Sequence, residues 1–199
     1  MIRPAGRPTL RRSAASAEHV SATPALRRLY VVRFVFAAAW AALLLVSGSD
    51  LTAVTKLLLF VYPAFDVAAA VVDARSARAA GPVKGLYVNM AVSALAAVGV
   101  AVASTSGVAD VLRVWGAWAV VSGLVQLLVG VARRPMGGQW AMILSGGISV
   151  LAGASFVRSA TQDDPSLTTL AGYATLGGIF FLVSAIRLSR STPRDCTTS

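Results

Sequence analysis

The chain contains little of the chemistry that most enzymes and metal-binding domains need. Among its 199 residues there is one cysteine, Cys196, and one histidine, His19. A single thiol excludes an internal disulfide, and there is no cluster of cysteine and histidine to hold zinc or to build an imidazole-based triad. We therefore predict no metal, no cofactor and no enzymatic activity.

Charge is also scarce, and this scarcity defines the class of protein. Only 13% of the residues are charged and 56% are hydrophobic, with a mean hydropathy of +0.72. Soluble domains average about 25% charged and about 45–50% apolar residues. So few charges cannot cover a water-exposed surface, which predicts a membrane protein.

Apolar runs of membrane-spanning length follow one another along the chain. They cover about residues 29–46, 51–72, 86–103, 109–131, 138–157 and 167–188. As helices they reach roughly 27–35 Å, enough for a hydrocarbon core of about 30 Å. Because hydrocarbon cannot satisfy backbone amides, we predict an all-α polytopic membrane protein with six transmembrane helices over residues 29–188.

The segments that flank these runs are polar. Residues 1–28 are rich in arginine, alanine, serine and proline without an apolar period, which predicts a disordered basic cytoplasmic arm. Residues 189–199 are predicted to form a cytoplasmic tail. The alternative for the first run is a cleaved signal peptide, since small residues follow it at 46–49. Its length and the interruption of its apolar core by Arg33 favour a retained helix.

The basic residues predict the orientation of the helices. Of the 18 lysines and arginines, only Lys56, Arg113 and Arg158 fall on one side, and the other fifteen fall on the side of the N-terminus. The positive-inside rule therefore predicts both termini in the cytoplasm of a bacterial plasma membrane. For the arm, the arginines favour anionic lipid headgroups over nucleic acid, because no interleaved aromatics are present.

A weak internal repeat is visible in the spacing of the runs. The even-numbered helices begin at about residues 51, 109 and 167, and each ends in a basic segment. This spacing predicts three repeated helical hairpins with the same topology. Small residues recur along several helices, most regularly Gly116, Gly123 and Gly130, which is typical of close helix packing within one chain or in a homo-oligomer.

Asp66 is the residue that this apolar pattern does not explain. It lies about seven residues before the predicted inner end of the second helix, where an unpaired charge is costly. Tyr62 shares its helix face, and Pro63 leaves the carbonyl of Leu59 without its helical partner. Arg33, one turn inside the first helix at similar depth, is its predicted partner.

The role of Asp66 has two interpretations from the sequence. In one, Asp66 and Arg33 are a structural clamp between the first two helices. In the other, Asp66 is a protonatable or ligand-binding group in an intramembrane polar site with Arg33, Tyr62, Asn89 and Gln126. An intramembrane enzyme using Asp66 and Asp73 is a third, weaker class, since these acids lie about 10 Å apart along the axis.

The pattern of small residues in the helices resembles that of a known family. Short-looped spans such as LSGGISVLAGASF (144–156) and YATLGGIFFLVSAIRL (173–188), with arginines at the inner ends, resemble the HdeD-like bacterial inner-membrane proteins. The resemblance covers roughly residues 29–190 and rests on architecture, so it carries over no functional residue. It implies a non-enzymatic membrane protein of acid or envelope stress tolerance. The alternative from the residues is a small transporter or proton conduit that uses Asp66.

Overall fold

The computed structural model describes the backbone of residues 8–47, 50–77, 84–132, 134 and 139–190, with side chains from Arg27 onward at the N-terminal end. Over these residues the fold is helical and contains no strand. The helices are α1 (Pro8–Ser47), α2 (Ala53–Ala77), α3 (Lys84–Ala103), α4 (Val108–Ala132), α5 (Trp140–Ser159) and α6 (Thr168–Arg190). The all-α prediction is confirmed for this part of the chain.

Five of the described helices are long and apolar enough to cross a membrane. They contain the segments Arg27–Ser47, Ala53–Val72, Val108–Ala132, Met142–Ser159 and Thr168–Arg187. The apolar part of α3, Tyr87–Ala103, is shorter than these segments. The structure therefore supports a multi-pass membrane protein.

The N-terminal arm differs from its prediction. The backbone is helical from Pro8, so residues 8–28 continue α1 and do not form a disordered segment. Alanine, leucine and arginine recur in this stretch and favour helix, and proline is well tolerated at a first helical position. Residues 1–7 of the predicted arm and 191–199 of the predicted tail lie outside the described residues.

Local signals explain where two of the helices begin and end. Thr52 precedes α2, and its hydroxyl accepts the backbone N–H of Thr55 at 3.2 Å, an N-cap arrangement. The chain turns between α3 and α4 through Gly107, whose φ of 143° is readily adopted by glycine. These short connections make consecutive helices antiparallel neighbours.

The helices pack in a ring. Each helix contacts the next along the chain, and α6 packs on α1 to close the circle. The most extensive pairs are α4 with α5, α1 with α6, and α2 with α3. The hairpins proposed as the repeated unit, α1/α2, α3/α4 and α5/α6, are the looser pairs. The tight pairs therefore alternate with the predicted hairpins around the ring.

The interface between α4 and α5 shows why that pair is tight. A Cβ placed on Gly123 would lie 2.7 Å from the carbonyl oxygen of Gly146, and one on Gly146 would lie 2.8 Å from that of Gly123. Gly116, seven residues before Gly123 on α4, and Gly153, seven residues after Gly146 on α5, face each other in the same way. Only glycine permits this approach, and the predicted packing stripe on α4 is confirmed.

Candidate functional site: a polar cluster around Asp66

Asp66 on α2 accepts hydrogen bonds from neighbouring helices on both sides. Arg33 of α1 forms an ion pair with Oδ1. On the other side, Asn89 Nδ2 and Ser93 Oγ of α3 donate to Oδ2 at 2.9 and 2.8 Å. The two carboxylate oxygens thus receive three donors, and the cluster joins α1, α2 and α3.

The predicted pairing of Arg33 with Asp66 is confirmed. The side chains retain 14% and 17% of their exposure, so the pair is largely shielded. The Arg33 guanidinium also lies over the ring of Phe181 on α6, 4.5 Å from its centroid, a cation–π geometry. Ala37, one turn after Arg33 on α1, lies against Gly178 of α6.

Asn89 and Ser93 reach Asp66 because they lie one turn apart on α3. Ser93 is fully buried, and its hydroxyl both donates to Asp66 and accepts from Trp118 Nε1 of α4 at 3.2 Å. The hydrogen-bond network therefore extends through Ser93 to a fourth helix. Asn89 was a predicted site residue, whereas Ser93 and Trp118 were not. The signal for Ser93 was the four-residue spacing that it shares with Asn89.

Tyr62 lies one turn from Asp66 on α2 but belongs to an aromatic cluster. Its ring centroid is 4.6 Å from that of Trp40, 5.4 Å from Trp115 and 6.1 Å from Trp118. The described residues provide no hydrogen bond between Tyr62 and Asp66. The cluster closes the ring interior next to Asp66 with large side chains from α1, α2 and α4.

The proline segment of α2 was predicted to leave the carbonyl of Leu59 without a helical partner. The structure continues α2 through Pro63, which is buried. Trp40 Nε1 of α1 donates at 2.6 Å to the carbonyl of Leu58, one residue earlier. The backbone near the proline thus gains a side-chain contact from α1.

Gln126 is the predicted site residue that does not join the cluster. It is half-buried on α4 and makes no hydrogen bond with the cluster residues that the structure describes. Its helix places it between Gly123 and Gly130, which face α5.

Asp73, the second acid of the enzyme hypothesis, has a side chain outside the described part of the chain.

The charges of the cluster compensate each other. Arg33 and Asp66 carry opposite charges in direct contact, and the remaining partners are neutral donors. In a low-dielectric interior such pairing, completed by further hydrogen bonds, is what makes a buried charge tolerable. Within the described residues, no three histidine, cysteine or acidic side chains gather where they could hold a metal ion.

A second polar contact bridges α5 and α6. The hydroxyls of Ser149 and Tyr173 lie 3.0 Å apart, and Phe156 packs edge-on against the Tyr173 ring at 5.6 Å. Every looser pair of the ring is therefore crossed by a side-chain hydrogen bond.

Comparison with known proteins adds no identification, because no family model, curated protein or solved structure matches this chain.

Proposed function

We propose that this chain is a six-span protein of the bacterial plasma membrane with both termini in the cytoplasm. Support comes from the five apolar helices and from the place of α3, which packs between two of them in the ring. Exposed arginines at one end of the bundle, including Arg75, Arg134 and Arg187, agree with the positive-inside rule.

We further propose a non-enzymatic role of HdeD-like type, in acid or envelope stress tolerance, with the Arg33–Asp66 pair as a structural clamp. The stress role rests on the resemblance of the small-residue spans. The clamp rests on one observation: Asp66 is bonded by three donors from the two helices beside it. A carboxylate with its lone pairs used in this way is suited to hold helices together.

The test is survival of acid challenge by a deletion strain complemented with wild type or with Asp66→Asn. Membrane levels of the two proteins are matched by immunoblot, so that folding and function are separated. We expect both to restore survival, because the clamp contributes stability only. Failure of wild type to rescue would remove the stress role. Rescue by wild type but not by the folded variant would make Asp66 a working group.

A transporter or proton conduit is the second candidate, and one observation favours it. Asp66 and Arg33 keep 17% and 14% of their side-chain exposure, so they are not sealed completely. The discriminating assay is proton or solute flux in vesicles that contain the purified chain. Flux that is lost in Asp66→Asn but kept in Asn89→Ala would favour the conduit over the clamp.

Anionic lipid headgroups are the proposed partner at the start of the first span. Arg27 and Arg28 are exposed there, and each basic residue near an anionic surface contributes about 1 kcal/mol. The double variant Arg27→Gln/Arg28→Gln is expected to lose preferential association with phosphatidylglycerol in mixed nanodiscs. Unchanged lipid enrichment would contradict this role.

A further inference from the structure

An apolar groove runs along the seam between α3 and α4 at the surface of the bundle. Its volume is about 240 Å³, and its lining comes from α3 between Val92 and Ala96 and from α4 between Val114 and Val121. Leu95 in this lining keeps 73% of its exposure and Val121 keeps 44%, so the groove opens outward. In a membrane such a surface faces lipid, and the groove must be filled by something apolar.

Small side chains leave the room that forms this groove. Ala96 of α3 is buried, and Ala117 of α4 lies on the same helix face as the larger Val114 and Val121. Trp118 also lines the groove, and its Nε1 donates to Ser93 Oγ at 3.2 Å. The polar edge of the indole is thus used within the bundle, and its apolar part is left for the groove.

The groove has the depth of one leaflet of a bilayer. Asp110 lies in the first turn of α4, and Val114 and Val121 follow four and eleven residues later. At the helical rise they lie about 6 and about 16 Å below Asp110, and one leaflet contains about 15 Å of hydrocarbon. The groove therefore begins near the headgroups beside the α3–α4 connection and ends near the midplane. This depth suits one acyl chain of a lipid in that leaflet.

An ion pair lies at the headgroup end of the groove. Arg113 Nη1 donates to Asp110 Oδ1, and the two side chains keep 53% and 43% of their exposure. Asp110, Val114, Ala117 and Val121 follow one another by four, three and four residues, which places Asp110 in line with the groove. The pair uses one of five guanidinium N–H groups and one carboxylate oxygen. In the part of the chain that the structure describes, neither side chain makes another hydrogen bond.

A cation and an anion side by side complement a zwitterionic headgroup. A phosphate accepts hydrogen bonds from a guanidinium, and a primary ammonium donates to a carboxylate. An anionic headgroup without an amine would gain nothing from Asp110, and a quaternary ammonium has no N–H to donate. We propose that this chain binds phosphatidylethanolamine, with an acyl chain in the α3/α4 groove, the phosphate on Arg113 and the ammonium on Asp110. The site rests on the proposed placement of the helices in a membrane.

Trp118 makes occupancy of the groove measurable, because bromine atoms in the middle of an acyl chain quench tryptophan fluorescence on contact. Trp140→Phe is the background, since Trp140 is 63% exposed whereas Trp40 and Trp115 are buried. Adding Trp118→Phe to this background should remove the quenching, which identifies the reporter.

The full chain is placed in phosphatidylcholine nanodiscs that contain a fixed fraction of one brominated lipid. The three brominated lipids are phosphatidylethanolamine, phosphatidylcholine and phosphatidylglycerol. We expect the apparent affinity for phosphatidylethanolamine to be about two- to fivefold higher than for phosphatidylcholine, the range of one exposed ion pair. Phosphatidylglycerol should bind no better than phosphatidylcholine.

Substitutions separate the headgroup contacts from the acyl-chain contact. Asp110→Asn should lower the affinity for phosphatidylethanolamine to that for phosphatidylcholine, whereas Arg113→Gln should weaken the binding of all three lipids. Ala117→Leu fills the groove and should abolish quenching by each of them. Ala101→Leu is the matched control, because Ala101 is exposed on α3 outside the lining of the groove, and it should keep the quenching. Circular dichroism and melting confirm that each variant is folded.

Equal quenching by the three lipids in a chain that has entered the nanodiscs would overturn the site alone. The same holds for an unchanged preference in folded Asp110→Asn, unchanged affinities in folded Arg113→Gln, or full quenching in folded Ala117→Leu. Failure of the chain to enter nanodiscs would overturn the membrane placement together with the site.

Discussion

The α4/α5 interface is held by close backbone packing, whereas the α1/α2 interface is held by a largely shielded ion pair. Between α4 and α5, facing glycines bring the backbones into contact, and a Cβ on Gly153 would lie 2.5 Å from the carbonyl oxygen of Gly116. Between α1 and α2 the packing is looser, and Arg33 with Asp66 spans the gap. In lipid there is little hydrophobic drive between helices, so close packing and polar bonds are the available means. Close packing dominates between α4 and α5, and polar bonds dominate between α1 and α2.

The largest expected effect comes from leaving Asp66 without its cation. Arg33→Met should lower the free energy of unfolding by about 3 kcal/mol or more, because a buried carboxylate loses its counter-charge. Reversible unfolding by dodecyl sulfate in mixed micelles measures this change. The matched control is Arg113→Met, which breaks an exposed pair with Asp110 and should cost below about 1 kcal/mol. Equal effects of the two substitutions would contradict a special role for the Arg33 pair.

The stability of the α4/α5 interface should depend nearly as strongly on the size of the side chains at its glycine positions. Gly146→Leu forces side-chain atoms against the backbone of α4 and should cost about 1–3 kcal/mol. Gly147→Leu, one residue away, points into open space and should be close to neutral. The same unfolding assay compares the two. Similar losses would mean that helix propensity, and not the contact with Gly123, sets the effect.

Removal of a single hydrogen bond from the cluster should have a smaller effect. Trp118→Phe removes the donor to Ser93 Oγ while keeping most of the ring packing, and should cost about 1 kcal/mol. In a Ser93→Ala background the same substitution should cost less, since the acceptor is already absent. A cost that is identical in both backgrounds would show that Trp118 acts through packing alone.

The bridge across the α5/α6 seam is expected to contribute least. Tyr173→Phe removes only its hydroxyl bond with Ser149 and should cost about 0.5–1 kcal/mol. Ser149→Ala should cost a similar amount, and the double variant should not exceed either single by much. Strictly additive losses in the unfolding assay would indicate that the two hydroxyls do not act on each other.

The helices and the Arg33–Asp66 pair could be predicted from the sequence, because both depend on local signals. Hydropathy predicts an apolar helix from composition, and the depths of Arg33 and Asp66 follow from their distance to the helix ends. Asn89 was included because it is a polar side chain within an apolar run. These inferences need no knowledge of which helix faces turn toward each other.

The contacts that could not be predicted depend on how each helix is rotated about its axis and on which helix it packs against. Gln126 shares a face with Gly123, and that face packs on α5, away from Asp66. Trp118 lies five residues before Gly123 on the same helix and donates to Ser93 on α3. Small residues occur on most of these helices, so their spacing could not show that α1 pairs tightly with α6. Residues 8–28 are helical in spite of their polar composition, because alanine, leucine and arginine favour helix without contributing an apolar period.

The most direct test of the clamp is a double-mutant cycle on Arg33 and Asp66 in the unfolding assay. The singles are Arg33→Met and Asp66→Leu, and the double variant replaces the ion pair with apolar side chains. A clamp predicts that each single loses about 3 kcal/mol, because it leaves one charge unpaired. The double leaves no unpaired charge and only removes the acceptor of Asn89 and Ser93, so it should lose clearly less than the sum of the two singles. A double variant that loses the sum of the two singles would show that the residues act independently, and would contradict the account.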